Sequence, residues 1–193
     1  MTNKSIQKNI TASGDVAARD INNTQLVFPE NVRGPMVLLK TLFEKYQIEK
    51  NARTHTNELV EVLCDYYVHD DAAEELKDLE RKLTEAEKTF LLEKAKRYKH
   101  SFRTKVERYR LFTSAQQIYA LLLGQALTRF EAYVEPALGT NISSGDLKVL
   151  IEENVVNYLL GCIPDAEPTV DSPTIHGMIY FLTGNCFIDW VPE

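Results

Sequence analysis

Between Val37 and Glu135 the chain contains no proline, and Gly124 is its only glycine. Hairpin-linked strands need such turn residues at roughly every 8–12 positions, so a stretch this free of them folds as helices. The apolar residues inside it recur at helical spacing. A first helix is expected near Pro35, after Gly34, with Val37, Leu38, Leu42, Phe43 and Tyr46 on its buried face. A second is expected from about Thr56 through Leu59, Val60, Leu63, Cys64 and Tyr67, and a third from a cap at Asp71 and Glu74 to about Leu83. Thr84-Glu-Ala-Glu87 fits a capping box, followed by Leu91, Ala95, Tyr98, Phe102, Val106 and Tyr109 on one stripe. A helix over Thr84–Tyr109 would span roughly 39 Å and form half of a central hairpin. Its partner runs from a cap at Thr113 or Ser114 through Ile118, Leu121, Leu122, Ala126, Phe130 and Val134 to a stop near Pro136.

Towards the C-terminus a further helix starts at Ser144 and carries Leu147, Leu150, Ile151, Val155 and Leu159. Pro164, Pro168 and Pro173 mark a loop, and Ser172-Pro173 reads as an N-cap before a short helix to Thr183, with Gly184 in the left-handed capping position. Cys186-Phe-Ile-Asp-Trp190 reads as an extended cover with inward aromatics. Residues 1–31 differ in kind, being rich in Asn, Thr, Ser and small side chains, so the boundary is placed between an arm (1–31) and a helical domain (32–193). In the arm, Val16 and Ile21 are apolar and Gly14-Asp15 and Arg19-Asp20 suit tight turns. A lone strand leaves its backbone groups unpaired, so this β-arm is expected to pair with other copies through Gly14, Asp15, Val16, Arg19, Asp20 and Ile21.

At 193 residues the chain can bury one core without staples. No apolar run approaches the roughly 20 residues of a membrane span, and the N-terminus lacks a secretory h-region, so a cytoplasmic protein with no membrane partner is expected. Cys64, Cys162 and Cys186 are an odd number at wide spacing and are expected as reduced core residues rather than a disulfide framework or a zinc motif.

The net charge of −6 hides an asymmetry. Lys94, Lys96, Arg97, Lys99, Arg103, Lys105, Arg108 and Arg110 face only Glu107 in their own segment, whereas Lys148 is the sole basic residue after Glu131. Lys96, Lys99, Arg103 and Arg110 therefore form a stripe that could meet a protein partner or track a nucleic-acid backbone, the alternative being a solvated face. Chemistry finds little support. The glycines are too scattered for a phosphate loop. His176, Cys186 and Asp189 are the only local grouping with nucleophile, base and orienter types, and His55 with His69-Asp70 is too sparse for a metal site; structural roles are expected for both, with no cofactor and no metal.

Two segments carry a resemblance. Ser13-Gly-Asp-Val-Ala-Ala-Arg-Asp-Ile21 resembles the GDVxxRDI element found at the termini of many bacterial conflict-system proteins. His176 to Trp190, and above all Leu182, Thr183, Gly184, Cys186 and Trp190, resembles the C-terminal helical domain of ABC-three-component systems. Phe187 and Asp189 depart from the pattern, which has a His and a basic residue there. The resemblance implies a defence operon that pairs an ABC ATPase with a middle component and an effector-bearing protein. It implies a non-enzymatic adaptor whose partners are further copies of itself and other proteins of that operon. The expected fold is mainly α: a helical bundle with a long central hairpin, a short N-terminal β-arm and a C-terminal extended segment.

Overall fold

The computed structural model describes residues 30–56, 60–67, 72–166 and 168–191. The helices are α1 (Glu30–Ala52), α2 (Glu61–Cys64), α3 (Ala72–Glu85), α4 (Leu92–Tyr109), α5 (Thr113–Arg129), α6 (Glu135–Leu138), α7 (Ser144–Ile151), α8 (Tyr158–Cys162) and α9 (Ser172–Gly184). A 3-10 turn, Thr89–Leu91, leads into α4, and two π-helical segments, Phe130–Val134 and Glu152–Asn157, join α5 to α6 and α7 to α8. The chain is mainly helical, as expected, with no strand among the described residues. The β-arm expected at residues 10–21 lies outside them. The compact unit that carries the core is Gly34–Glu193.

Helix α9 is apolar on all sides, and Ile175, Met178, Ile179, Tyr180, Phe181 and Leu182 are all buried. Such a helix is stable only when surrounded, so it lies at the centre with α3, α4 and α5 against it. Helix α4 therefore packs most extensively on α9 rather than on α5, its expected hairpin partner. Gly177 permits the close crossing: a Cβ there would lie 2.6 Å from Cβ of Phe102 and would also meet the Tyr98 carbonyl.

Several boundaries depart from expectation for identifiable reasons. Helix α1 begins at Glu30 and takes in Gly34 and Pro35; its buried stripe is Leu39, Leu42, Phe43 and Tyr46, leaving Val37 65% and Leu38 49% exposed. The second helix is a single turn, α2, and Cys64 at its end is exposed, as is Cys186; of the three free cysteines only Cys162 is buried. Thr84 does not open α4 but closes α3. Its hydroxyl donates to the Glu80 carbonyl (2.7 Å), Glu87 adopts φ 58°, and Lys88 N–H reaches back to Leu83 O (2.7 Å). Helix α4 is consequently shorter than expected, about 27 Å at 1.5 Å per residue.

The cap of α5 comes from another helix. Phe112 occupies the N-cap position, and Glu49 of α1 accepts from the Ser114 N–H (3.1 Å) and hydroxyl (2.7 Å). Pro136 does not stop the chain either. It has no N–H and would clash with the carbonyl four residues back, and the π-segment before it shifts the register so that Glu135 N–H bonds to Phe130 O. The Arg129 guanidinium lies 3.5 Å from the Tyr158 ring centre and 4.5 Å from that of Tyr133, and its Nε donates to Asn154 O, which ties the two π-segments together. Ser143 caps α7 through Asp146 N–H (3.1 Å), and α9 is capped by Asp171, one residue before the expected Ser172.

Candidate interaction site

Gly14, Asp15, Val16, Arg19, Asp20 and Ile21 lie outside the described residues, as do His69 and Asp70. His55 follows α1 and packs edge-on to Phe112, ring centres 5.2 Å apart, and the other candidate residues fall on α4 and α9 or beside them.

Leu182, Thr183, Gly184, Cys186 and Trp190 form a lock at the end of α9. Cys186 N–H donates to Thr183 O (3.3 Å) and Phe187 N–H to Leu182 O (2.9 Å), the pair of bonds of a Schellman turn. The residue in the left-handed region is Cys186, at φ 64°, not Gly184. Gly184 serves close approach instead: a Cβ there would lie 2.6 Å from Glu75 O and 3.2 Å from Lys99 Nζ. Thr183 accepts from Trp190 Nε1 (3.0 Å), and the indole packs edge-on to Phe130 and stacks on Tyr180. Buried Lys82 of α3 donates to Ile188 O (2.9 Å). The segment after α9 is thus a chain of turns anchored by its tryptophan, not a strand.

The Cys186 thiol donates to Asp78 Oδ2 (3.1 Å), and partial burial together with that carboxylate pushes its pKa up. That is the reverse of nucleophile activation. His176 lies near the other end of α9, about 15 Å away by helical rise. Asp189 is 3.9 Å from Lys82. The three residues do not converge on one point.

The basic stripe is largely answered from within. Lys99 Nζ lies 2.8 Å from Glu75 Oε2 and Arg103 Nη1 2.9 Å from Glu75 Oε1, with the Glu75 side chain fully buried. Burial pushes the Lys99 ammonium pKa down, against the opposing pull of Glu75. Burial also pushes the neighbouring Tyr67 phenol up to about 12, beneath the Arg103 guanidinium at 5.9 Å. Lys96 pairs with Glu80, Arg110 with Glu107 (3.2 Å), and Lys105 with Asp171 (2.9 Å). The helical pattern placed Lys99 on the solvated side, but its ammonium turns in to meet an acid from α3.

A different part of α4 faces a cleft of about 160 Å³ that α7, the start of the second π-segment and α9 complete. Its floor is Leu91, Ile151 and Tyr180, and burial pushes the Tyr180 phenol pKa up. On one wall Tyr98 stacks against His176, ring centres 5.4 Å apart and planes within 21°. His176 Nε2 is 3.0 Å from Glu152 Oε2, so the acid on that wall has a partner. Lys94 and Lys148 stand at the mouth, and neither has an acid partner among the described residues. Lys148 instead lies 5.0 Å from the ring centre of Phe90, which is 42% exposed. Sequence spacing could not assemble this site, because Lys94, Lys148, Glu152 and His176 come from three separated segments. The one available signal was the isolation of Lys148 in an acidic third of the chain.

Among the described residues no group of three or more His, Cys, Asp and Glu side chains converges as a metal site would require. None of the described helices is long and apolar enough to cross a membrane. Residues 78–190 match the family model described as C-terminal domain 9 (CTD9) of the ABC-three component (ABC-3C) systems. No curated protein and no solved structure matches the chain.

Proposed function

The chain belongs to the CTD9 family of ABC-three-component systems, and on that premise we propose that it is a non-enzymatic, oligomerising adaptor acting in the cytosol. The helical unit is the part that meets other components, among them an ABC ATPase or an effector of the same system. The N-terminal arm, through Gly14, Asp15, Val16, Arg19, Asp20 and Ile21, joins copies of the chain. A contact that is weak for one helical unit then becomes strong for several presented together, because every binding event after the first is effectively intramolecular.

The observation that carries the reading is the way the matched segment closes on itself. Its two ends meet where Cys186 donates to Asp78 and Lys82 donates to Ile188 O; of the residues that could have suggested chemistry, Cys186 and Asp189 sit at that closure and His176 is paired with Glu152. Cys186 sits in a helix-terminating turn, and the Thr183 hydroxyl accepts from the Trp190 indole. A self-closed helical unit with its reactive side chains engaged in structure suits a part that is held and presented rather than one that turns over substrate.

Co-expression with the ABC ATPase and middle component of its system tests the proposal. The expected result is co-purification of at least one of them with the tagged chain, equally well for the Cys186→Ala form. Recovery of the chain alone from every co-expression would refute the adaptor role.

A further inference from the structure

The geometry points to the cleft between α4, α7 and α9 as the docking site for an acidic peptide segment of a partner protein, one that inserts a single large apolar side chain. The inference deepens the adaptor reading and rests on it.

Two cations from different helices meet at this place. Lys96, Lys99, Lys105, Arg103 and Arg110 are each matched by an acid of the same chain, whereas Lys94 and Lys148 are not matched by any described acid. Both line the same cleft from different helices. Exposed Lys77, Arg97 and Arg108 also lack a described acid partner, so what distinguishes Lys94 and Lys148 is that they converge on one concave, partly apolar place. The only acid lining the cleft, Glu152, is held 3.0 Å from His176 and is turned to that partner. Two lysines against one hydrogen-bonded acid leave the cleft lining net positive toward an incoming carboxylate.

Size and shape select a peptide over a small molecule. The volume of about 160 Å³ is well below the 300–1,000 Å³ usual for cofactor pockets, and it matches one large side chain on a floor of Leu91, Ile151 and Tyr180. The apolar surface continues outward onto Phe90, which is exposed while holding Lys148 against its ring. An occupant anchored in the cleft therefore runs on across this rim, as an extended segment does. The required chemistry is an apolar anchor with Asp or Glu on either side of it.

The test uses the full chain co-expressed with the ABC ATPase and middle component of its system, with Phe90→p-benzoylphenylalanine as a photo-crosslinker. The expected product is a crosslink to a partner peptide that contains an apolar residue flanked by acids. Recovery of that product should fall at least tenfold in Lys94→Glu/Lys148→Glu, and it should fall as salt is raised, because screening weakens exposed charge pairs. Lys96→Glu, at a cation already paired with Glu80, should leave recovery within twofold. Lys94→Gln/Lys148→Gln should give an intermediate loss, and matching circular dichroism will show that these exposed substitutions leave the fold intact.

If the partner co-purifies but no crosslink forms, or the crosslinked peptide lacks acids, or the double reversal leaves recovery unchanged, the cleft is not the docking site and the adaptor reading survives. A nuclease-sensitive product would make the site a nucleic-acid contact and equally overturn the peptide assignment. If no partner co-purifies even with the unsubstituted chain, the adaptor reading itself has failed.

Discussion

Gly184 shows how a single residue can be mistaken in role while being correct in importance. A glycine at the end of an apolar helix suggests the left-handed cap, yet Cys186 takes that conformation and tolerates it because the Schellman bonds to Thr183 and Leu182 hold it. Gly184 is required for space, since α3 passes so close that a methyl group would meet Glu75 O at 2.6 Å. Backbone cannot yield as a side chain tip can. Gly184→Ala should therefore destabilise the fold by about 1–3 kcal/mol, the range for overpacking a filled core. Gly161→Ala, at a helical glycine where a Cβ meets nothing, should be neutral or stabilise by up to about 1 kcal/mol. Urea denaturation of the two variants provides the comparison, and equal midpoints would contradict the close-approach role. The same crowding explains Lys99. Its position on an amphipathic helix reads as solvated, and only the approach of Glu75 from α3 makes burial of the charge tolerable.

At the scale of elements, the helical class and most of the buried stripe of α4 were legible, because Ala95, Phe102 and Val106 recur with helical spacing and all three are buried. What was not legible were the places where the backbone leaves the ideal period. Pro136 looked like a stop, but a π-segment absorbs its missing donor; Thr84 looked like a start, but its hydroxyl bonds backward to Glu80. Caps supplied by distant residues, such as Glu49 on Ser114, leave no local pattern at all. The cleft was invisible for the same reason, being assembled by helix packing. The N-cap of α9 offers a pH-dependent check on local electrostatics. Asp171 accepts from Thr174 N–H (3.0 Å) and from Lys105 (2.9 Å), and although burial pushes its pKa up, these bonds outweigh it and hold the carboxyl below its usual value. A carboxylate with a lowered folded pKa contributes stability that is complete above its unfolded value, about 3.9, and is lost as pH falls through the folded one. Asp171→Asn, which keeps a capping side chain but loses the charge, should cost less than about 1 kcal/mol at pH 7 because the pair is half-exposed. Its melting temperature should approach that of the parent protein as pH falls from about 4 through the lowered folded pKa. A constant difference across that range would show that the carboxylate charge plays no part.

For the whole molecule, the organising feature is a buried helix, α9, whose C-terminal lock returns to α3 and closes the segment that defines the family. Such a unit can be presented by an arm without itself being reshaped. The account requires that the arm, and not the helical unit, sets the copy number, since Lys96, Lys99, Arg103 and Arg110 are engaged within the chain. The decisive measurement is the solution mass, by light scattering, of the full chain beside a form that begins at Glu30 and keeps α1 whole. A defined oligomer for the full chain and a monomer for the shortened one is the result the account predicts. A monomer in both cases, or the same oligomer in both, would contradict it.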